Sequence, residues 1–142
     1  MNVEVVAESD LQEAREAVLA GLVRYNERFL GPGRKTETAV TVRDESGRIV
    51  GGATAHLYRG RLFIDFVWVD EDCRGKGVGT QVMRAIEAEG RRLGATCAQV
   101  DTFTFQAAPF YERLGYREVA RIPKMFGGYD RIYLEKESLA VE

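Results

Sequence analysis

Apolar residues along this chain follow two periods, and the points where the period switches divide it into elements. Leu11, Ala14, Val18, Leu22 and Val23 recur at helical spacing, which predicts a helix over residues 9–27. Ser9 with Gln12 three residues on has the form of a capping box, and Gly31-Pro32-Gly33 breaks the pattern. Ahead of that helix, residues 2–7 predict a short strand. Residues 35–43 and 48–58 predict a hairpin turning at Asp44-Glu45-Ser46-Gly47, its second strand bent at Gly51-Gly52. Residues 62–69 read LFIDFVWV, apolar on both faces as a covered central strand should be. From Val78, the residues Val82, Met83, Ile86 and Leu93 share one helical face, and Gly94 ends that helix. A strand over 96–102, a short helix over 106–114 stopped by Gly115, and two closing strands over 116–121 and 129–135 follow. The loop 123–128 joins the last two.

The predicted order is β-α-β-β-β-α-β-α-β-β. Hairpins come first, and the strand–helix–strand unit in the middle asks for a parallel pair joined by a right-handed crossover. The fold class is α/β with mixed order: one mostly antiparallel sheet of about seven strands, helices on both faces. With 142 residues and no internal repeat, the expectation is a single domain over 1–142.

Charge and composition narrow the functions. A net charge of −2 argues against an electrostatic nucleic-acid binder. No apolar run is long enough to span a bilayer, and Met1-Asn2-Val3-Glu4 lacks the basic-then-apolar start of a signal peptide. Cys73, Cys97 and the single histidine, His56, make neither a zinc site nor a disulfide framework. The expectation is a cytoplasmic protein with free thiols, no metal, no membrane partner and no nucleic-acid partner.

The chemistry centres on Arg74-Gly75-Lys76-Gly77-Val78-Gly79, between the apolar strand and the second helix. A helix start exposes unpaired N–H groups and the positive end of the macrodipole. Glycines let an anion, usually a phosphate, reach those groups, and Arg74 and Lys76 add charge. The spacing fits neither the P-loop nor the dinucleotide fingerprint.

Arg74-x-x-Gly77-x-Gly79 is similar to the R/Q-x-x-G-x-G/A signature of the GNAT superfamily of acyl-CoA-dependent N-acyltransferases. The run from Ala107 through Pro109, Phe110 and Tyr111 to Leu114-Gly115-Tyr116 resembles that superfamily's later A-x-x-x-Y-x-x-L-G-F segment. Val67-Trp68-Val69-Asp70 stands where its members have the strand before the signature, and the element order is also theirs. One departure is Thr104, where many members carry Asn. The resemblance implies a GNAT-like sheet splayed between the fourth and fifth strands. It implies coenzyme A bound by the backbone of Arg74, Gly75, Lys76, Gly77, Val78, Gly79 and Thr80 at the pyrophosphate. The exposed edge of Val67, Trp68 and Val69 would pair with pantetheine, with Ala107 and Phe110 beside the carrier. The acyl donor implied is acetyl-CoA.

Direct attack of an amine on the thioester needs a proton acceptor, an oxyanion donor and an acid for the leaving thiolate. Tyr111 stands where the resemblance places a tyrosine beside the sulfur, and the Val69 N–H is the implied oxyanion donor. Asp65 is the one ionisable residue in LFIDFVWV. Strand alternation puts it on the face of Val67 and Val69 as a candidate base; a salt bridge to Arg61 or Arg48 is the equally weighted structural role. Asp101 is the second candidate. His56 has suitable chemistry, though a lone histidine on a hairpin strand is more often a structural or surface residue, and water alone can serve. Trp68, on the other face, is expected in the core. Phe103, Phe105 and Phe110 are candidates for the thioester channel, at least one of them being core. The segments 25–34 and 124–129 are expected as loops walling the acceptor pocket. The acceptor expected is a small-molecule primary amine. A CoA-binding module without turnover, and acylation of a protein N-terminus, a lysine or a tRNA-linked amine, are the alternatives. A homodimer formed by pairing of the strand over 129–135 across a two-fold axis is a further expectation.

Overall fold

The computed structural model describes residues 1–106 and 108–141. Ala107, named above for the carrier, lies outside the described residues. The chain divides into two units, Met1–Arg34 and the segment from Lys35 onward.

The first unit is a 3₁₀ turn, Glu8–Asp10, leading into helix α1, Leu11–Leu30. Residues 2–7 form no strand: Val3 and Val5 are fully exposed, and a strand without a ladder has nothing to hold it. Ser9 lies inside the 3₁₀ turn, so Asp10 takes the N-cap position and makes no side-chain capping bond. The helix also outruns its predicted end. Tyr25 to Leu30, expected as loop, are helical, and Gly31 at φ +72° closes the helix with its N–H on the Glu27 carbonyl.

The second unit is a six-stranded sheet in the order β1-β2-β3-β4-β6-β5. The strands are β1 (Thr36–Arg43), β2 (Ile49–Tyr58), β3 (Arg61–Val69), β4 (Cys97–Phe103), β5 (Arg117–Phe126) and β6 (Tyr129–Lys136). Every neighbouring pair is antiparallel except β3 and β4, which helix α2 (Val78–Arg92) connects. Helix α3 (Ala108–Arg113) follows β4. At the β1–β2 turn, Asp44 Oδ1 accepts from the Ser46 N–H, the Ser46 hydroxyl and the Arg48 N–H. These bonds hold its carboxyl below the usual range.

The apolar stripe of α2, with Val82, Met83 and Ile86 buried, packs on Ala53, Ala55, Leu62, Ile64, Ala98 and Val100. Small residues on the sheet let the helix come close. At Gly90 a Cβ would stand 2.7 Å from a Leu62 methyl carbon, so only glycine fits there unmoved. Each fully buried side chain of Leu or Ile size contributes about 1.5–3 kcal/mol. Between α2 and β6, the buried Glu87 accepts from the Tyr116 hydroxyl and from Lys136 Nζ, both at 2.8 Å.

Two departures from the predicted sheet matter for the site. The pairing of β3 with β4 stops at Ile64 opposite Val100, although both strands run on. With residues 2–7 outside the sheet, this splay falls between the third and fourth strands. Second, β2 and β3 do not alternate evenly. Ala55 lies opposite Ile64 and Thr54 opposite Phe66, so Asp65 is the extra residue of a β-bulge. Beside Gly51 the β1–β2 register slips, Val42 lying opposite Gly51 and Arg43 opposite Ile49, so Val50 is an extra residue of β2 there.

At the far side of the sheet, the expected loop 123–128 shrinks to a turn at Gly127-Gly128. The register slips between Ile122 and Phe126, around Pro123, which an edge strand tolerates because its N–H is not needed. Strand β6 has β4 on one side and β5 on the other, so neither of its edges is open for pairing across a two-fold axis. The sheet edge on that side is β5.

Candidate active site

The glycine turn sits where β3 leaves the sheet. Asp70 accepts from the Asp72 N–H and is bridged by Arg48 at 3.1 Å, which fixes the chain before the turn. Gly75 (φ +76°) and Gly77 (φ +80°) take left-handed conformations, and a Cβ on either would meet nothing within 4 Å. Gly77 is the N-cap of α2 and gives the helix no side-chain cap. The N–H groups of its first turn therefore have no side-chain cap. Arg74 is partly spent at home, its Nε donating to the Val69 carbonyl at 3.3 Å.

Beside this helix start the splay opens a cleft of about 910 Å³. Its walls include Val67, Trp68 and Val69 from β3, Arg74, Gly75, Gly77, Val78, Gly79 and Thr80 from the turn and helix, and Phe110 and Tyr111 from α3. The direction of the β3 backbone follows from its neighbours. Asp70 N–H donates to Val50, so by antiparallel alternation Val69 and Val67 turn their N–H and C=O groups to the open side. Among the predicted residues, Lys76, exposed on the turn, and Asp65 lie outside this lining. The sequence reading missed Cys73, Thr102, Gln106 and Arg113, which also line the cleft. Thr102 is the inward-facing residue of β4 at the splay, and it donates to Gln106 Oε1 at 2.8 Å. That parity was available from the alternation of the strand.

Tyr111 is 7% exposed, and its ring packs against Phe110 and Tyr116. Among the described residues no buried side-chain oxygen or nitrogen goes unpartnered. None of them bonds the Tyr111 hydroxyl, which therefore opens on the cleft. Burial, and then the charge of Asp101, push its pKa above the ordinary phenol value. The hydroxyl stays protonated at neutral pH and can serve as an acid.

Three other placements differ from expectation. Trp68 is 50% exposed and lines the cleft rather than the core, because the bulge and the splay leave its end of β3 uncovered. Thr104 ties the end of β4 to the β5–β6 hairpin: its N–H donates to the Asp130 carbonyl, and its hydroxyl accepts from the Asp130 N–H at 3.1 Å. Phe105 and Phe110 line the cleft, while Phe103 stacks on Phe105 with Arg131 over its ring.

The two carboxylates divide. Asp65 reaches neither Arg61 nor Arg48, which bond Glu135 and Asp70. The bulge takes Asp65 off the face of Val67 and Val69, and its Oδ2 lies 2.9 Å from His56 Nδ1. Asp101 is gripped by Arg131, whose Nε donates at 2.7 Å. The guanidinium thereby occupies its Oδ2.

An uncapped helix start opened by glycines, beside an unpaired strand edge, suits a phosphate-bearing extended ligand. Comparison with known proteins gives the class. Residues 6–116 match the acetyltransferase (GNAT) family. The chain belongs to that family. It is 31% identical over 124 residues to an acetyltransferase of Agrobacterium fabrum, covering 87% of this chain and 90% of that one. It is 39% identical over 94 residues to the blasticidin-S acetyltransferase of Streptomyces morookaense, covering 66% and 69%. Its fold matches the crystal structure of an acetyltransferase from Bacillus cereus with a TM-score of 0.86, at 31% identity and 96% coverage of both chains. This GNAT protein is an enzyme of the N-acetyltransferase class, and its mixed sheet with one parallel pair is the family's fold. GNAT acetyltransferases draw their acetyl group from acetyl-CoA. No helix among the described residues is long and apolar enough to cross a membrane.

Proposed function

We propose that this GNAT enzyme moves an acetyl group from acetyl-CoA to the primary amine of a small molecule by direct attack. The observation that carries the reading is the cleft, which joins an uncapped, glycine-opened helix start to an unpaired strand edge with the Tyr111 hydroxyl facing in. The main-chain N–H groups from Arg74 to Thr80 would hold the diphosphate, with Arg113 adding charge from α3. Val67 and Val69 would pair with the pantetheine amides as a short added strand. Bound acetyl-CoA supplies the activated acyl carbon.

The rest belongs to the chain. The Val69 N–H faces the open side and would donate to the acyl oxygen as charge develops there. Tyr111 would give its proton to the departing sulfur. The hydrophobic lining of Phe105 and Phe110 limits water at the reacting centre. The blasticidin-S acetyltransferase among the relatives supports a small-molecule acceptor for this chain as well.

The test is incubation of the purified protein with acetyl-CoA and separate amines: blasticidin S, an aminoglycoside, spermidine, tyramine and a lysine peptide. Products are read by mass and thiol release by a chromogenic disulfide. Acetylation of one or more of the small molecules is expected. Product with the peptide alone would move the acceptor class to proteins.

A further inference from the structure

We propose that His56, oriented by Asp65, takes the proton from the acceptor amine. The inference rests on the reading just given and names the base it leaves open. His56 lies on β2 opposite Phe63, and the two rings stack at 4.7 Å with 2° between planes. Its Nδ1 meets Asp65 Oδ2 at 2.9 Å. An ionised carboxylate only accepts, so the neutral imidazole carries its proton on Nδ1 and its lone pair on Nε2. A stacked ring with a fixed tautomer is the arrangement a general base needs.

The pair stands outside the cleft's lining, beyond its inner end. Asp65 is the first residue past the last β3–β4 pair, Ile64 with Val100, so it stands at the apex of the splay. A carrier anchored at the α2 start and lying along Val69 and Val67 points its sulfur end toward that apex. Ala53 and Ala55 turn to α2, so Thr54 and His56, alternating with them along β2, face the other side of the sheet. An amine arriving from the sheet face opposite α2 meets His56 there. Both side chains are partly open, 24% for His56 and 39% for Asp65. The rival carboxylate, Asp101, is held by Arg131.

In the step itself, an amine proton passes to His56 Nε2 as the C–N bond forms and the C–S bond breaks. The sulfur takes the Tyr111 proton; Tyr111 regains one from solvent and His56 releases its own. The charged or titratable groups around His56 are Asp65 on β3, Glu37 opposite it on β1 with Lys35 beside Glu37, and Tyr58 two residues on along β2.

His56 is the only histidine in the chain, so its signals need no assignment. Long-range ¹H–¹⁵N spectra of the protein without ligand should show the Nδ1–H tautomer, and Asp65→Asn should shift the population toward Nε2–H. The Nε2–H tautomer in the wild type overturns the proposal without any assay of turnover. With the best acceptor found above, His56→Gln should lower kcat by about 10²-fold and remove the acidic limb of the pH–rate profile, with CoA affinity unchanged. Asp65→Asn should lower kcat less, and Asp65→Glu should recover part of it. A wild type that acetylates amines while His56→Gln matches it in rate and pH profile overturns the base and leaves the function standing. A wild type that acetylates no amine overturns both.

Discussion

Gly77 holds its backbone at φ +80° with open space where a side chain would be. Valine there meets no wall in the protein, so the fold survives. It does meet the cost of a left-handed conformation, about 1–2 kcal/mol, and its methyls stand over the amides of the α2 start. By blocking the diphosphate's approach to those amides, Gly77→Val is expected to weaken CoA binding by about tenfold or more in calorimetry. An unchanged Kd would remove this turn from the phosphate site. Tyr111→Phe is expected to do the opposite: it keeps the buried ring and loses the proton. CoA affinity should hold while kcat falls by about 10²-fold, which steady-state kinetics and calorimetry on the same samples would separate. These residues were legible in the sequence because glycines at a strand–helix junction and a tyrosine ahead of Leu-Gly have local reasons to be there. Asp65 was legible only as an ionisable residue in an apolar run. Its partner was not, since the bond to His56 needs a bulge that places residues 56 and 65 side by side. Trp68 was misjudged as core for the same reason: periodicity assigns a face and is blind to whether anything covers it.

At the scale of elements, the helix and strand periods located α1, α2, α3 and all six strands, with ends displaced by a few residues. What failed was the strand over 2–7 and the loop over 123–128. In both cases the local apolar pattern was right and the outcome depended on whether a neighbouring strand was there to pair. Glu87 is the contact between elements that the pattern cannot show. It lies on the inward face of α2, among apolar positions, and joins Tyr116 at the start of β5 to Lys136 at the end of β6. Removing a buried partner leaves the others unpaired, a loss of about 1–3 kcal/mol for each polar group left without one. Lys136 retains some access to water, which softens its share. Glu87→Ala is therefore expected to cost about 2–4 kcal/mol in urea unfolding. Glu87→Leu combined with Lys136→Met and Tyr116→Phe should recover much of it. A single Glu87→Ala variant as stable as the wild type would mean the triad contributes nothing.

For the molecule as a whole, the same buried tyrosines set the alkaline limit of stability. Burial is the first cause raising Tyr116, followed by the Glu87 charge and the bond to it, while burial and Asp101 raise Tyr111. Unfolded, each phenol ionises near its ordinary value of about 10; folded, each holds its proton to higher pH. Above about 10 the unfolded chain therefore binds fewer protons than the native one, and stability falls as pH rises. Below that value the contribution is complete and the curve is flat in these two groups. Lysines titrate in the same window, so the wild-type slope alone does not isolate the tyrosines, and the comparison has to be made against a variant. Tyr116→Phe should be less stable at neutral pH by about 1 kcal/mol, having lost the bond to Glu87. Its unfolding free energy should then decline less steeply above pH about 10, by up to about 1.4 kcal/mol per pH unit, the slope of one proton. The two stability curves should converge as the pH climbs. Urea titrations of both proteins at several alkaline pH values decide it: parallel curves would mean that Tyr116 ionises alike in the folded and unfolded chains, and that its burial beside Glu87 has no titrational consequence.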